Sequence, residues 1–124
     1  MSVVHTTTVR NGICSNVLSQ LDSGGAGKIR MQTSGAVNVA TLNLSATSFG
    51  AASGGTATAN AIASDTNAAG GTIAKASFQN NAGTEIFNCS VTATGGGGDI
   101  TLNSVVVSAG QTVTLTSLTY SAPP

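Results

Sequence analysis

The segment 22–28 is the part of the chain closest to a phosphate-binding loop. It reads Asp-Ser-Gly-Gly-Ala-Gly-Lys. A nucleotide-binding loop of this kind requires glycine where Asp22 stands and serine or threonine where Ile29 stands, and it needs a following helix whose first N–H groups hold the phosphate. After Lys28 the apolar residues instead alternate with a period of two, which is typical of a strand. We therefore predict a flexible connection here, and no cofactor.

Two other features could support chemistry: a run of four glycines at 95–98 and the single histidine, His5. Consecutive glycine N–H groups can bind an anion, but an acidic residue, Asp99, follows directly, so we expect a loop tip. A Ser-His-Asp triad holds its histidine between a nucleophile and a carboxylate. His5 instead lies in a polar N-terminal stretch of a kind that is poorly ordered unless docked. Neither feature predicts catalysis.

Paired carboxylates could perform acid–base catalysis if two of them met in a cleft. Each carboxylate stands at a predicted turn or strand start, where a solvated or capping role is ordinary. A structural metal site needs about three or four ligands, and one histidine with two distant cysteines does not supply them. The sequence therefore predicts neither an enzyme nor a metal site. The four carboxylates are Asp22, Asp65, Glu85 and Asp99.

The chain is sparsely charged. Of its 124 residues 6% are charged, and the net charge is zero, whereas about a quarter of the residues are charged in ordinary soluble domains. Its surface must therefore consist of hydroxyls, amides and glycine, which suits packing against other protein copies. The basic residues are scattered along the chain and predict no nucleic-acid partner, and no apolar run approaches the ~20 residues of a membrane helix. The four are Arg10, Lys28, Arg30 and Lys75.

The beginning of the chain has no basic stretch followed by an apolar one, so we expect no signal peptide and folding in a cytoplasm. In a reducing compartment the two cysteines, Cys14 and Cys89, are expected to be buried thiols that act as small hydrophobic residues. A disulfide between them is the alternative.

One helix is predicted, followed by short strands. Ile13, Val17, Leu18 and Leu21 recur at helical spacing, which predicts a helix over 12–22. Asn11 is the predicted N-cap, and two glycines follow the last apolar residue. Residues 1–10 are expected to form an N-terminal arm, and residues 11–124 a single domain.

Period-two alternation continues through the rest of the chain, with glycine-rich turns between the apolar runs. The phase of the alternation changes within 36–45, which predicts a bulge or a bend. The tract 55–63 is favoured as a strand over a helix, and 64–71 as a loop. Together these segments predict an all-β fold, a jelly-roll-like β-sandwich of seven to eight short strands with one N-terminal α-helix. The predicted strands are 28–32, 36–45, 55–63, a hairpin of 72–80 with 84–92, 100–102, 105–107 and 112–120.

The order of these short motifs resembles that of small virion structural proteins of tailed bacteriophages. The likeness spans nearly the whole chain, although no piece is specific alone, and it carries no catalytic motif. The matching pieces are Thr-Val-Arg-Asn at 8–11, Leu-Asp-Ser-Gly at 21–24, Ala-Thr-Leu-Asn-Leu-Ser at 40–45, Phe-Gly at 49–50, the stretch 96–104 and Ala-Gly-Gln-Thr-Val at 109–113.

The resemblance implies a head protein, a capsid decoration or cement protein that binds the outside of the shell. The expected partners are the major capsid protein and further copies of the chain, as a homodimer or homotrimer, with no nucleic acid and no membrane. The expected location is the virion, assembled in the host cytoplasm. The residues predicted to make contacts are His5, Thr8, Arg10, Lys28 and Arg30.

Two other functions remain open on the sequence. One is a head-to-tail connector or tail component, which the copy number per particle would distinguish from a cement protein. The other is a carbohydrate- or receptor-binding module, which usually exposes aromatic side chains on loops. Tyr120 is the free candidate for such a side chain.

Overall fold

The computed structural model describes residues 3–98, 100–102, 104–115 and 118–121. One helix precedes the strands of this part of the chain, as the sequence predicts, and the fold is β-rich. The elements are α1 (Thr7–Leu21), β1 (Lys28–Gln32), β2 (Asn38–Asn43), β3 (Thr56–Thr58), β4 (Gly71–Thr72), β5 (Lys75–Gln79), β6 (Glu85–Ala93), β7 (Ile100–Leu102), β8 (Val106–Val107) and β9 (Thr119–Ser121).

The helix begins five residues before its predicted start. Thr6 is the N-cap, and its hydroxyl accepts a hydrogen bond from the N–H of Val9 at 3.3 Å. The prediction of Asn11 as the N-cap is wrong, because Asn11 is the fifth residue of the helix and its side chain accepts a hydrogen bond from the N–H of Gly55. Residues 7–10, predicted to belong to an arm, are therefore helical. The helix ends at Leu21, close to the predicted end, and Gly24 with a φ of +80° turns the chain away.

A five-stranded mixed sheet forms the centre of the fold, with the order β2-β1-β5-β6-β7. The strand β1 has its predicted bounds. The predicted hairpin is confirmed in β5 and β6, which pair antiparallel with Phe78 opposite Phe87. The strand β7 is parallel to β6, with Val91 opposite Ile100.

The predicted irregularity in the second strand is confirmed. Met31 pairs with Ala40 and Gln32 pairs with Asn38, so Val39 is an extra residue between the two pairs. This bulge places Val39 in the core at 0% exposure, while Val37 is 64% exposed. It explains why the apolar phase of the sequence changes inside the strand.

Two predicted strands are much shorter in the structure. Of 55–63, three residues form β3, which pairs with β9, and Ala59 and Ile62 make isolated bridges to Phe49 and Leu44. Of 112–120, the described residues contribute an isolated bridge at Val113 and the start of β9. Alanine, glycine and threonine bury little side-chain area. Alternation of such residues therefore does not by itself produce a long paired strand.

The side of β2 that faces away from β1 is held by the segment 63–69. The N–H groups of Ala63 and Ala69 donate to the carbonyls of Asn43 and Val39, each at 2.8 Å. Between them the Thr41 N–H donates to the Asp65 carboxylate at 2.8 Å. The predicted loop 64–71 therefore follows this strand closely along its length.

The glycine run 95–98 lies in the short connection between β6 and the parallel strand next to it, β7. Parallel strands usually need a connection of about a dozen or more residues, whereas here the chain passes from Ala93 to Ile100. Gly98 donates its N–H to the Thr92 hydroxyl at 3.0 Å. A Cβ at Gly96 or Gly98 would lie 2.8 Å from Thr92 atoms, so side-chain-free residues permit this approach.

The core lies between the inner face of the central sheet and the elements that cover it. The helix contributes Cys14, Leu18 and Leu21, and the sheet contributes apolar residues from each strand. The small sheet of β3 and β9 adds Ala57 and half-buried Tyr120. No helix in the described ranges is long and apolar enough to span a membrane.

Candidate functional site

The outer face of the central sheet carries a regular array of polar side chains. Ile29, Met31, Ala76 and Phe78 point to the core, so the residues that alternate with them point outward. Four strands contribute three residues each, in rows fixed by the pairing register. We call these twelve residues the polar face. Its rows are Asn43, Lys28, Gln79 and Glu85; Thr41, Arg30, Ser77 and Asn88; Asn38, Gln32, Lys75 and Ser90.

A hydrogen-bond network orders one side of the polar face. The Ser77 hydroxyl donates to Glu85 Oε1 at 2.6 Å, and Asn88 Nδ2 donates to Glu85 Oε2 at 3.3 Å. Gln79 Nε2 donates to the Ser77 hydroxyl at 3.1 Å. Ser77 is 2% exposed, so the longer side chains around it cover it. The face is thus fixed in part by its own contacts.

The same network lowers the pKa of the Glu85 carboxyl below its ordinary value. The hydrogen bond from Ser77 is the largest cause, followed by the one from Asn88, and the charge of Lys75 acts in the same direction. Partial burial opposes them. Glu85 is therefore an ionised acceptor at neutral pH, and two donors occupy its oxygens.

Three of the four basic residues lie on the polar face. Lys28 and Arg30 were predicted as contact residues, and the sheet adds Lys75, which pairs with Gln32 beside Arg30. The sequence places Lys75 far from the other two, so the interpretation of the cations as scattered is wrong. Among the described residues none of the three forms an ion pair, and Arg30 Nε is buried without a hydrogen-bond partner.

The other predicted contact residues lie with the helix. Thr8 is exposed, whereas His5 and Arg10 are half-buried. The Arg10 guanidinium packs over Gly55, where an added Cβ would lie 2.6 Å from Arg10 Cζ. Because the helix packs on the inner side of the sheet, the five predicted residues divide into two groups on opposite sides of it.

Exposed apolar residues surround the start of the helix. Val3 is 65% exposed and Val4 is 78% exposed, and Val9 on the first turn of the helix is also exposed. His5 and Thr8 lie within this short stretch. The N-terminal segment 3–9 therefore presents an apolar surface with polar residues interspersed.

An open cleft of about 380 Å³ gathers every aromatic residue of the chain. The rings of Phe78 and Phe87 are stacked at 4.3 Å, and Tyr120 lies against Phe87 at 5.2 Å between centroids. Burial raises the pKa of the Tyr120 hydroxyl, and the nearby Cys14 acts in the same direction. Tyr120, the candidate aromatic for a carbohydrate- or receptor-binding module, is thus half-buried in the cleft and lies on β9. The cleft is lined by Phe49, Phe78, Phe87, Asn88, Cys89, Ile100, Leu118, Thr119, Tyr120 and Ser121.

Sequence reasoning missed this cleft, because its aromatic residues come from separate segments and no motif links them. The one local signal is the hairpin, whose predicted faces put Phe78 and Phe87 on the same side. The two cysteines do not form a disulfide; Cys14 is buried as predicted, whereas Cys89 is half-buried at the cleft.

The acidic residues of the loops bind the chain's own backbone. Asp22 accepts the N–H of Ser48 at 3.0 Å, and Asp65 accepts the N–H groups of Thr41 and Asn67 at 2.8 and 2.9 Å. Asp99 lies outside the described residues. Within those residues, no three side chains of histidine, cysteine, aspartate or glutamate are grouped so as to hold a metal ion.

Comparison of the chain with protein-family models, with curated proteins and with solved structures found no match. The molecule offers three surfaces that could bind a partner or ligand: the polar face, the N-terminal segment and the cleft.

Proposed function

We propose that the chain is a virion structural protein, a decoration or cement protein that binds the head of a tailed bacteriophage and stabilises its shell. The observation that carries the proposal is the polar face, a regular array of hydroxyls, amides and three cations on the central sheet. Neutral polar groups can be buried against another protein at a lower desolvation cost than charges. Such a face suits repeated contact with a protein surface.

We also propose that the chain assembles into a homodimer or homotrimer through its N-terminal segment. Exposed Val3, Val4 and Val9 would gain by burial against the same segment of another copy under closed symmetry. Because this segment lies on the helix side, self-association leaves the polar face open to the shell. A jelly-roll-like sandwich, in which the small sheets form the second layer, is the fold that we propose for this assembly.

The direct test adds the purified protein to heads that lack it. We expect co-sedimentation with the heads and resistance of the loaded heads to a higher temperature, since a ligand of the folded state stabilises it by mass action. Copies on the order of hundreds per particle identify a cement protein, whereas about six or twelve identify a ring-shaped connector or tail component. Failure to bind and to protect the heads would reject the proposal.

The aromatic cleft favours a second function, a carbohydrate- or receptor-binding module. Aromatic rings in an open cleft, with Asn88, Thr119 and Ser121 among the residues that line it, are typical of sites that bind sugars by apolar contact and hydrogen bonds. A glycan-array screen tests this function. Binding that is lost in Phe87→Ala and retained in Lys28→Gln would favour it over the shell-binding role.

A further inference from the structure

On the polar face Arg30 lies close to each of the other two cations. Lys28 and Arg30 are two positions apart on β1, and Arg30 is the diagonal neighbour of Lys75 across the β1–β5 pairing. Both relationships correspond to about 7 Å between backbone positions. Like charges at this spacing repel, so the arrangement costs the isolated chain some stability.

The polar face does not neutralise this charge itself. Glu85 is its single carboxylate, and Ser77 and Asn88 donate to the two oxygens. Three cations and one carboxylate leave a net charge of +2 on the face, in a chain whose net charge is zero. The Arg30 Nε is also buried without a hydrogen bond in the described part of the chain. These observations indicate an anionic partner outside the chain.

A second copy of the chain is a poor source of that negative charge. Outside the polar face the described carboxylates are Asp22 and Asp65, and both accept hydrogen bonds from backbone N–H groups of their own chain. Pulling them to the cations of another copy would leave those N–H groups without partners, which costs about 1–3 kcal/mol each when buried. Among the described residues, another copy therefore offers no uncommitted carboxylate, and a different protein is the better source of the acidic residues.

Nucleic acid fits this face less well than an acidic protein does. Single-stranded binding uses aromatic rings interleaved with cations, and all the aromatic rings lie in the cleft on the inner side. Binding to duplexes releases counterions in proportion to the phosphates contacted, commonly about six to ten. Three cations with amides between them match a few carboxylates instead.

The size of the face sets how strong one contact can be. Three inter-strand spacings span about 14 Å and five residues along a strand about 17 Å. The resulting area is roughly 400 Å² with side chains, about half of what one partner usually contributes to a stable complex. A single copy should bind weakly, and an oligomer that presents several faces gains by avidity.

We propose that the polar face binds an acidic surface of another protein through Lys28, Arg30 and Lys75. This inference rests on the proposed function in one respect: it assigns the acidic surface to the shell. The acidic preference itself is a property of the isolated protein and is tested without heads.

The test compares the full chain with two triple variants. Lys28→Gln, Arg30→Gln and Lys75→Gln together remove the charge and keep polar side chains, while Lys28→Arg, Arg30→Lys and Lys75→Arg keep it. We expect the parent to bind immobilised poly-L-glutamate at low salt, the charge-removed variant to bind about tenfold more weakly, and the charge-conserving variant to stay within about threefold. Added salt of about 0.5 M should abolish the difference. Circular dichroism checks that all three are folded.

Equal binding of the parent and the charge-removed variant to poly-L-glutamate overturns the inference. Tighter binding to a DNA duplex than to poly-L-glutamate also overturns it, in favour of nucleic acid. The same three proteins are then added to heads. If the parent and the charge-removed variant bind heads equally well, the proposed function stands and this inference fails. If the three proteins bind poly-L-glutamate as expected but none of them binds heads, the preference for an acidic partner stands and the assignment of that partner to the shell fails.

Discussion

The side-chain oxygen of Asn11 accepts a hydrogen bond from the backbone N–H of Gly55 at 2.8 Å, across 44 positions of the chain. One helical turn later, the thiol of Cys14 donates to the carbonyl of the same glycine at 3.2 Å. The N–H and the carbonyl of Gly55 thus both have hydrogen-bond partners on one face of α1. This pair of contacts fixes α1 against β3, and it explains why Asn11 is not a cap.

Replacing Asn11 with alanine should destabilise the protein by about 1–3 kcal/mol, because the Gly55 N–H loses its acceptor in a partly buried position. The free energy of unfolding in urea measures the loss. Asn16→Ala is the matched control, since Asn16 is exposed on the same helix and alanine is the better helix former. If Asn11→Ala, like Asn16→Ala, does not lower the free energy of unfolding, the contact does not hold the helix in place.

Gly98→Ala should destabilise the protein by about 1–3 kcal/mol. Its Cβ would lie 2.8 Å from the Thr92 hydroxyl and 3.0 Å from the Thr92 backbone nitrogen, so the return between β6 and β7 must shift. The opposite sign is expected for Gly12→Ala, where the added Cβ meets nothing within 4 Å. That change should stabilise the helix by about 0.5–1 kcal/mol. Thermal unfolding of the two variants beside the parent checks both signs.

The stability of the protein should depend on the ionisation of Glu85. Its folded-state pKa is lowered from 4.5, so its carboxylate stabilises the fold above that value, and the contribution is lost as the pH falls through the lowered pKa. Glu85→Gln should therefore be less stable than the parent at pH 7 and equal to it in stronger acid. Urea unfolding at a series of pH values measures the difference.

The cause of that shift is separately testable by NMR titration of the Glu85 carboxyl. Ser77→Ala should raise the pKa of Glu85 toward 4.5, and Asn88→Ala should raise it less, because the Ser77 hydrogen bond is the larger cause. A larger effect from Asn88→Ala would contradict this ordering.

Phe87→Ala should lower both the stability and the pKa of Tyr120. Phe87 lies between the rings of Phe78 and Tyr120, and its removal opens the cleft, with a loss of about 1–3 kcal/mol for a half-buried ring. Burial is the main cause of the raised pKa of Tyr120, so the pKa should fall toward 10.0. Ultraviolet absorbance follows the titration of the single tyrosine. Val106→Ala, a change at an exposed residue outside the cleft, should leave that pKa unchanged.

The polar face shows which part of a site can be predicted from sequence. Alternation within β1 placed Lys28 and Arg30 outward, because the side-chain period of a strand is two. To predict that Lys75 lies beside these two cations, one must know the pairing register between β1 and β5. That register depends on the packing of Met31 and Phe78 against the core. Local patterns do not contain that pairing.

The helix and the cleft show two other limits. Three consecutive threonines, Thr6–Thr8, are poor helix formers by intrinsic propensity, so the sequence favoured a later start, whereas the hydroxyl of the first one caps the helix. The cleft joins rings from residues 49, 78, 87 and 120. Only tertiary packing brings such distant positions together.

The carboxylate of Asp65 protects one edge of the central sheet against aggregation. By accepting the Thr41 N–H, between the bonds from Ala63 and Ala69, it closes the outermost strand of the central sheet to pairing with another molecule. Unpaired outer strands are templates for sheet extension and amyloid-like aggregation. Even at high local concentration, β2 of one copy cannot pair with a strand of another copy, so the sheet is not extended at this edge. Along β2, a contact with another molecule must therefore be made by side chains and not by backbone pairing.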